Sequence, residues 1–130
     1  MNKYKIAVVG FGHIGRRHAT IINEYPHTEL TAIVDVNPEA KNHELYPDGI
    51  PFYGDIDSFL KCDSEGTDIV CICTPNMYHT PYALKVLENK QHVLIEKPMG
   101  LSRMECEEVI FKALNVGRQV FVVKQNRYSP

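Results

Sequence analysis

The sequence lacks the features that direct a chain to a membrane or to nucleic acid. Its longest apolar stretches, such as residues 69–73, are far shorter than the ~20 residues that a membrane-spanning helix requires, and its amino terminus has no signal-peptide core. It has no tract of lysine and arginine, and its formal net charge is −2, so it lacks the basic surface that neutralises a phosphate backbone. We therefore expect a cytoplasmic protein with no membrane partner and no nucleic-acid partner.

Cysteine is also scarce, with four residues at positions 62, 71, 73 and 106. They form no C-x-x-C pair and no Cys/His cluster of the spacing typical of zinc sites. Cys71 and Cys73 lie two positions apart in an apolar run, which would place both on one face of a strand. We expect four buried thiols and no metal site.

The composition is that of an ordinary ordered domain. The chain has 130 residues, of which 44% are hydrophobic and 23% are charged, and neither a repeat nor a low-complexity segment interrupts it. Single domains typically form over ~100 to 200 residues. We expect one domain over residues 1–130.

Short β-branched apolar runs alternate with helical patterns along the whole chain. Strands are predicted over residues 5–9, 30–35, 51–53, 68–73, 92–95 and 120–123. The run 69–73 is apolar without alternation, which is typical of a central strand covered on both faces. The pattern predicts an α/β, doubly wound Rossmann fold, with a mostly parallel six-stranded sheet in the order 3-2-1-4-5-6 and helices on both faces.

Two helices have boundaries that the sequence predicts. The first begins near His13 and ends before Pro26, which has no amide hydrogen to donate. Its side chains predicted to pack on the sheet are Ile14, His18, Ile21, Ile22 and Tyr25. A later helix begins at Ser102, forms a capping box with Glu105, and ends at Gly117.

A glycine-rich turn joins the first predicted strand to the first helix, which is the context expected of a dinucleotide-binding G-x-G-x-x-G motif rather than of an ordinary βα turn. Its first glycine permits the tight turn, its second lets the backbone approach a diphosphate, and its third lets helix and strand pack closely. The helix amino terminus then offers unpaired amides to the anion. The predicted cofactor-binding residues of this turn are Gly10, Phe11, Gly12, His13, Ile14 and Gly15.

An acidic residue, Asp35, ends the second predicted strand, twenty positions after Gly15. At that position a carboxylate can accept hydrogen bonds from both ribose hydroxyls of the adenosine half of NAD, and the alternative, a solvated strand end, is disfavoured by the agreement of motif, placement and spacing. A 2′-phosphate would meet this carboxylate, and no arginine follows at 36 or 37 to compensate it. The prediction is therefore NAD, with NADP disfavoured.

Two further segments carry a resemblance to a known family. Residues 74–79 read Thr-Pro-Asn-Met-Tyr-His, and residues 96–98 read Glu-Lys-Pro. This pairing resembles the T-P-N-x-x-H and E-K-P motifs of the Gfo/Idh/MocA dehydrogenases, and the similarity runs along the whole chain. The resemblance implies that these residues form the amino-terminal Rossmann half of an enzyme. It also implies a second α/β domain, absent here, that contacts the substrate and forms a homo-oligomer interface.

The resemblance also assigns roles to residues beyond the glycine turn. Lys97 is the implied catalytic residue, sharing the hydroxyl proton as hydride leaves the alcohol carbon, although a lysine on a loop is otherwise a solvated cation paired with an acid such as Glu96. Glu96 either orients Lys97 or contacts the cofactor amide. Asn76 can instead cap the helix that follows it, and His79 can be a structural hydrogen-bonding residue. The residues implied to contact the cofactor are Thr74, Pro75, Asn76, His79, Glu96 and Lys97.

The implied function is oxidation of a secondary alcohol of a sugar, sugar nucleotide, cyclitol or related polyol by NAD. The closing segment 124–128 is similar to the branch of the family that acts on nucleotide-linked acetamido sugars. Two alternatives remain at this point. One is a non-catalytic NAD-binding or redox-sensing module that acts through a partner. The other is a methyltransferase using S-adenosylmethionine, which would not account for the Glu-Lys-Pro segment.

Overall fold

The computed structural model describes residues 3–62, 66–96 and 102–123. These residues form one six-stranded sheet in the order β3-β2-β1-β4-β5-β6, in which every neighbouring pair of strands is parallel. The strands are β1 (Tyr4–Val9), β2 (Thr28–Val34), β3 (Phe52–Tyr53), β4 (Ile69–Ile72), β5 (His92–Glu96) and β6 (Val120–Val123). The predicted fold class, strand number and strand order are confirmed.

Helices cover both faces of the sheet. They are α1 (His13–Glu24), α2 (Ile56–Cys62), α3 (His79–Glu88) and α4 (Arg103–Val116), with short 3-10 helices at Pro38–Asn42 and Asn76–Tyr78. One hydrophobic core joins α2, α3 and α4 to alternate strand residues such as Val9 and Ile72. The other joins α1 and the segment 40–50 to the intervening residues such as Val8 and Cys71. This alternation places β1 and β4 at the centre of the molecule.

The buried stripe of α1 differs from the one predicted. The residues of α1 that are buried are Gly15, Ala19 and Ile22, whereas Ile21 and Tyr25 are more than half exposed. A Cβ at position 15 would lie 1.7 Å from the carbonyl oxygen of Gly10. The prediction is confirmed at Ile22, but the first half of the helix presents Gly15 and Ala19 to the sheet, because small residues allow its close approach to β1.

Helix α4 begins and ends where the sequence predicts. The Ser102 side chain accepts a hydrogen bond from the backbone amide of Glu105, and Gly117 adopts a left-handed conformation at the carboxyl end with φ of 70°. Its inward face consists of Val109 and Ala113, while Leu114 is exposed. Each boundary arises from a local hydrogen-bonding requirement, which explains why the sequence located both of them.

The cysteines divide into two groups, which corrects the expectation that all four are buried. Cys71 is buried, and Cys73 and Cys106 are half-buried. Cys62 is exposed, because it closes α2 on the side away from the core. As predicted, Cys71 and Cys73 face the same layer, with their Sγ atoms 3.6 Å apart.

None of the helices in the described ranges is both long enough and apolar enough to cross a lipid bilayer. The longest of them, α4, has fourteen residues.

Candidate cofactor site

The glycine turn is shaped by close backbone packing at both of its ends. Gly10 has φ of +97°, and a Cβ there would lie 2.8 Å from the carbonyl oxygen of Cys73. The Gly10 amide donates to the Val34 carbonyl over 2.6 Å. A side chain at Gly15 would collide with the Gly10 backbone. Both positions therefore require glycine for the fold itself, independently of any ligand.

The middle glycine is different, because no atom stands where its side chain would be. Nothing lies within 4 Å of a Cβ built on Gly12, and its φ of −78° is open to any residue. Gly12 is the N-cap of α1 and provides no side-chain cap, and the first turn of α1 holds no acidic residue. The free amides and the positive end of the helix dipole thus face open space, which is the environment that a diphosphate requires.

The acidic residue after β2 is bonded directly to this turn. Asp35 Oδ2 accepts a hydrogen bond from the Phe11 amide over 2.7 Å, and Oδ1 accepts one from the Asn37 amide over 2.8 Å. The Asp35 amide in turn donates to the Tyr53 carbonyl. Asp35 is therefore held beside the glycine turn by bonds on both sides.

The Phe11 ring packs inside the protein. It is 3% exposed and contacts the rings of Tyr46 and His43 edge to face, with centroids 5.4 and 6.1 Å away. This packing anchors the segment after β2 to the turn. His13 is exposed and Ile14 is half-buried on the first turn of α1. Contact of these three residues with the cofactor stays a prediction.

A cavity of about 490 Å³ opens at the carboxyl ends of the central strands, where doubly wound sheets bind their ligands. Five of its lining residues were predicted, namely Gly10, Gly12, Asp35, Thr74 and Pro75. Eight others were not, among them Val36, Asp55, Tyr78 and Tyr82. Val36 and Asp55 lie two residues past the ends of β2 and β3, so the same crevice rule applied to the residues after every strand would have found them.

Asp55 adds a second carboxylate to the cavity. Its Oδ1 accepts the Ser58 amide over 2.7 Å and its Oδ2 accepts the Ser58 hydroxyl over 3.1 Å, so that it caps α2. These hydrogen bonds lower the pKa of Asp55 from its ordinary value and keep the group ionised. Two acidic residues, Asp35 and Asp55, therefore line the cavity.

Thr74 follows β4 and lines the same cavity. Its hydroxyl oxygen is buried without a hydrogen-bond partner among the described residues. A buried unpaired hydroxyl destabilises a fold, so this group is available to a ligand in the cavity. The Thr74 carbonyl, in contrast, accepts a hydrogen bond from His79 Nε2 over 2.9 Å.

His79 is 1% exposed, and its hydrogen bond to Thr74 holds the loop after β4. This placement supports the structural interpretation, and direct contact with the cofactor stays a prediction. Asn76 begins the short 3-10 helix, but its side chain lies outside what the structure describes. Lys97 and Pro98 lie outside the described residues, so the catalytic prediction for Lys97 is untested, as is the resemblance carried by residues 124–128.

Glu96, the last residue of β5, makes a contact that the sequence did not predict. Its Oε2 lies 2.6 Å from Nε2 of His18, and the two side chains are 15% and 25% exposed. The bond joins α1 to the end of β5. Periodicity had placed His18 on the face of α1 that packs on the sheet, but no local pattern identifies a partner 78 positions away.

A larger groove of about 1360 Å³ lies at the opposite edge of the sheet. Residues that begin strands, such as Tyr4, Ile69 and His92, line it. It contains neither the glycine turn nor the acidic residues that follow the strands. Ligands of doubly wound sheets bind at the carboxyl edge, so we place the cofactor site in the smaller cavity.

Together, the sheet order, the glycine turn at the start of α1 and the acidic residue after β2 define a dinucleotide-binding Rossmann domain. The space left at Gly12 and the unpaired hydroxyl of Thr74 fit a bound dinucleotide.

Comparison with known proteins identifies the family. A family model described as the oxidoreductase family with an NAD-binding Rossmann fold, Gfo/Idh/MocA, matches residues 4–124. Glucose-6-phosphate 3-dehydrogenase of Bacillus subtilis is 33% identical over 102 residues, which is 78% of this chain and 28% of that protein. The hydratase of 2,7-anhydro-N-acetylneuraminate from Escherichia coli is 31% identical over 79% of this chain and 27% of its own length.

Solved structures agree with these relatives. The WlbA dehydrogenase of Chromobacterium violaceum, solved with NADH and UDP-GlcNAcA, matches 98% of this chain and 37% of its own, with a TM-score of 0.89 and 28% identity. GenD2 from gentamicin A biosynthesis, solved with NAD, matches 94% of this chain and 34% of its own, with a TM-score of 0.85 and 26% identity. The chain belongs to the Gfo/Idh/MocA family of oxidoreductases, and its cofactor is NAD.

Proposed function

We propose that this chain is the cofactor domain of a dehydrogenase that oxidises a secondary alcohol of a sugar, sugar nucleotide or cyclitol. The observation that carries the proposal is the open space at Gly12, which lies at the uncapped start of α1 and beside the carboxylate of Asp35. The named substrates of the relatives, glucose 6-phosphate and a nucleotide-linked acetamido sugar acid, support the sugar class.

The residues that would hold the cofactor act in three ways. The backbone of the glycine turn and the first amides of α1 would bind the diphosphate. Asp35 would accept hydrogen bonds from the ribose hydroxyls, and Thr74 would contribute the hydroxyl that is otherwise unpaired. NAD, when bound, supplies the hydride acceptor. The carboxylates of Asp35 and Asp55 would repel the additional phosphate of NADP, so we propose that NAD is preferred.

Lys97 is proposed to accept the hydroxyl proton of the alcohol as the hydride departs. Lys97 directly follows Glu96, which is the last residue of β5. The Glu96 side chain is bonded to His18. That bond supports the proposal because it holds the residue before Lys97 at the crevice. The same bond favours a role for Glu96 in orienting Lys97 over a role in contacting the cofactor amide.

The chain spans about a quarter to two fifths of the length of the relatives it matches. We propose that the whole protein has a second domain that provides the substrate contacts and the surface of a homo-oligomer. In that protein, Lys97→Ala should lower turnover much more than NAD affinity, because the lysine acts on the substrate proton. Wild-type turnover in this variant would contradict the assignment.

Calorimetric titration of the chain with NADH, NADPH and S-adenosylmethionine tests the cofactor part of the proposal directly. We expect a single NADH site, weaker binding of NADPH, and no binding of S-adenosylmethionine. Preferential binding of S-adenosylmethionine would refute the dehydrogenase proposal and favour a methyltransferase. Equal binding of NADH and NADPH would remove the argument based on Asp35 and Asp55.

A further inference from the structure

Side chains from separate elements meet next to the cofactor cavity. Cys71 on β4, Cys73 just after it, and His18 on α1 each offer one ligand atom, and these three atoms lie within 4.8 Å of one another. Cys71 is 1% exposed, while Cys73 also lines the cavity. Core packing accounts for buried thiols, and the bond to Glu96 holds the imidazole within reach of both.

The distance between the two sulfurs fits a metal ion. Zinc binds thiolates at about 2.3 Å in a tetrahedral arrangement, so two sulfurs on one zinc ion stand about 3.8 Å apart. The Sγ atoms of Cys71 and Cys73 are 3.6 Å apart. A sulfur and an imidazole nitrogen on the same ion stand about 3.5 Å apart. His18 would therefore have to move inward by at most about 1.3 Å from the observed limit of 4.8 Å.

The neighbouring carboxylate strengthens the donor set. Glu96 Oε2 is bonded to Nε2 of His18 over 2.6 Å, so the ion would be bound through Nδ1. A carboxylate on the other ring nitrogen orients a metal-binding histidine and raises its basicity. A set of two thiols, one imidazole and a nearby carboxylate suits zinc, which accepts sulfur, nitrogen and oxygen ligands. A purely thiophilic ion such as Cu(I) would gain nothing from the carboxylate.

The charges of the group also balance. Binding of Zn²⁺ would release the two thiol protons to solvent and leave two thiolates that neutralise the ion. Replacing two protons by one divalent ion keeps the net charge of this partly buried site unchanged.

We propose that His18, Cys71 and Cys73 form a Zn²⁺ site beside the cofactor cavity. The sequence spacing does not predict it, because the fold brings α1 to β4 from more than fifty positions away. The site is independent of the proposed dehydrogenase activity, since its ligands lie in this chain and require no substrate.

The test is metal binding by the reduced, chelator-stripped chain. Co²⁺ serves as the spectroscopic probe, and Zn²⁺ affinity is measured by competition with a chromophoric chelator. We expect one ion per chain, with the visible bands of tetrahedral cobalt and a near-ultraviolet charge-transfer band from two thiolates. Cys73→Ser should reduce the charge-transfer band by about half and weaken Zn²⁺ binding by at least about 100-fold. His18→Gln should weaken binding while the charge-transfer band of both thiolates persists.

Cys62→Ser and Cys106→Ser are matched controls, since these cysteines are outside the cluster, and both should bind zinc like the parent chain. Thermal unfolding of each variant verifies that the fold is intact. Failure of the parent chain to bind zinc, or zinc binding that survives Cys73→Ser in a folded variant, would overturn the proposal. NADH titration of the same samples separates the two questions, because loss of zinc binding with intact NADH binding removes only the metal site.

Discussion

The two sides of the crevice are built in different ways. At the ends of β1 and β2, the backbone of the glycine turn is bonded to Asp35 and Val34 within a single βαβ unit. At the ends of β4 and β5, side chains make the bonds: His79 holds the loop at Thr74, and His18 holds Glu96, 78 positions away. On the first side, the space around the backbone determines which residues are tolerated. On the second side, the pairing of polar groups determines it.

This difference predicts how each side responds to substitution. Where backbone atoms are in contact, an added methyl group clashes with them, and the loss of stability is steric in origin. Where a polar pair is broken, the cost is that of leaving one group partly buried and unpaired, which is smaller when water can reach it. The largest effects should therefore come from the glycine turn.

Gly15→Ala should have the greatest effect on stability. Its Cβ would lie 1.7 Å from the Gly10 carbonyl oxygen, so α1 must move away from β1, at a cost of about 3 kcal/mol or more. Urea unfolding measures this loss. Gly12→Ala is the matched control, because nothing lies within 4 Å of its Cβ, and it should keep nearly full stability while losing NADH affinity. If both variants unfolded alike, the steric account of the turn would be wrong.

Asp35→Ala should be next, and its effect should appear in cofactor binding. Hydrogen bonds to a charged group contribute about 1.5 to 3 kcal/mol, so NADH affinity should fall roughly 10- to 100-fold. The preference for NADH over NADPH should narrow in the same titrations, because a repulsive carboxylate is removed. Asp48→Ala, at an exposed position outside the cavity lining, should change neither quantity. An unaltered preference in Asp35→Ala would exclude this residue as the selector.

The same division separates what the sequence predicts from what it does not. The glycine turn, Asp35 and both ends of α4 depend on neighbours within a few residues or one strand-helix unit, so spacing alone located them. The buried stripe of α1 was mispredicted because hydrophobicity favoured Ile21 over Ala19, whereas close approach to β1 favours the smaller side chain.

Other features depend on contacts that no local pattern encodes. Helix α2 was not predicted, although Asp55 caps it. The contact of Phe11 with Tyr46 joins the turn to the segment that follows β2, and a ring in a glycine motif gives no indication that it is buried. The pairing of His18 with Glu96 depends on the complete sheet order, since β5 lies next to β4 and β4 lies next to β1.

On the second side, His18→Ala should destabilise the chain by about 1 to 2 kcal/mol, since it leaves the mostly buried Glu96 carboxylate unpaired. Glu96→Gln should cost less, because the amide oxygen can still accept a hydrogen bond from the imidazole. Urea unfolding of the two variants in parallel gives both values. Equal stability of His18→Ala and the parent chain would show that the pair adds nothing to folding.

The smallest effect on stability should come from Thr74→Val, and it is the one that best separates folding from binding. The Thr74 hydroxyl is buried and unpaired among the described residues, so a methyl group of similar shape should leave stability unchanged or raise it by up to about 1 kcal/mol. NADH affinity should nevertheless fall a few-fold, because the cofactor would lose the partner that this hydroxyl offers. Thr74→Ser keeps the hydroxyl and should bind NADH like the parent chain. A gain in stability with unchanged NADH affinity would mean that the hydroxyl serves neither purpose, and the cofactor contact at the end of β4 would then have to come from the backbone.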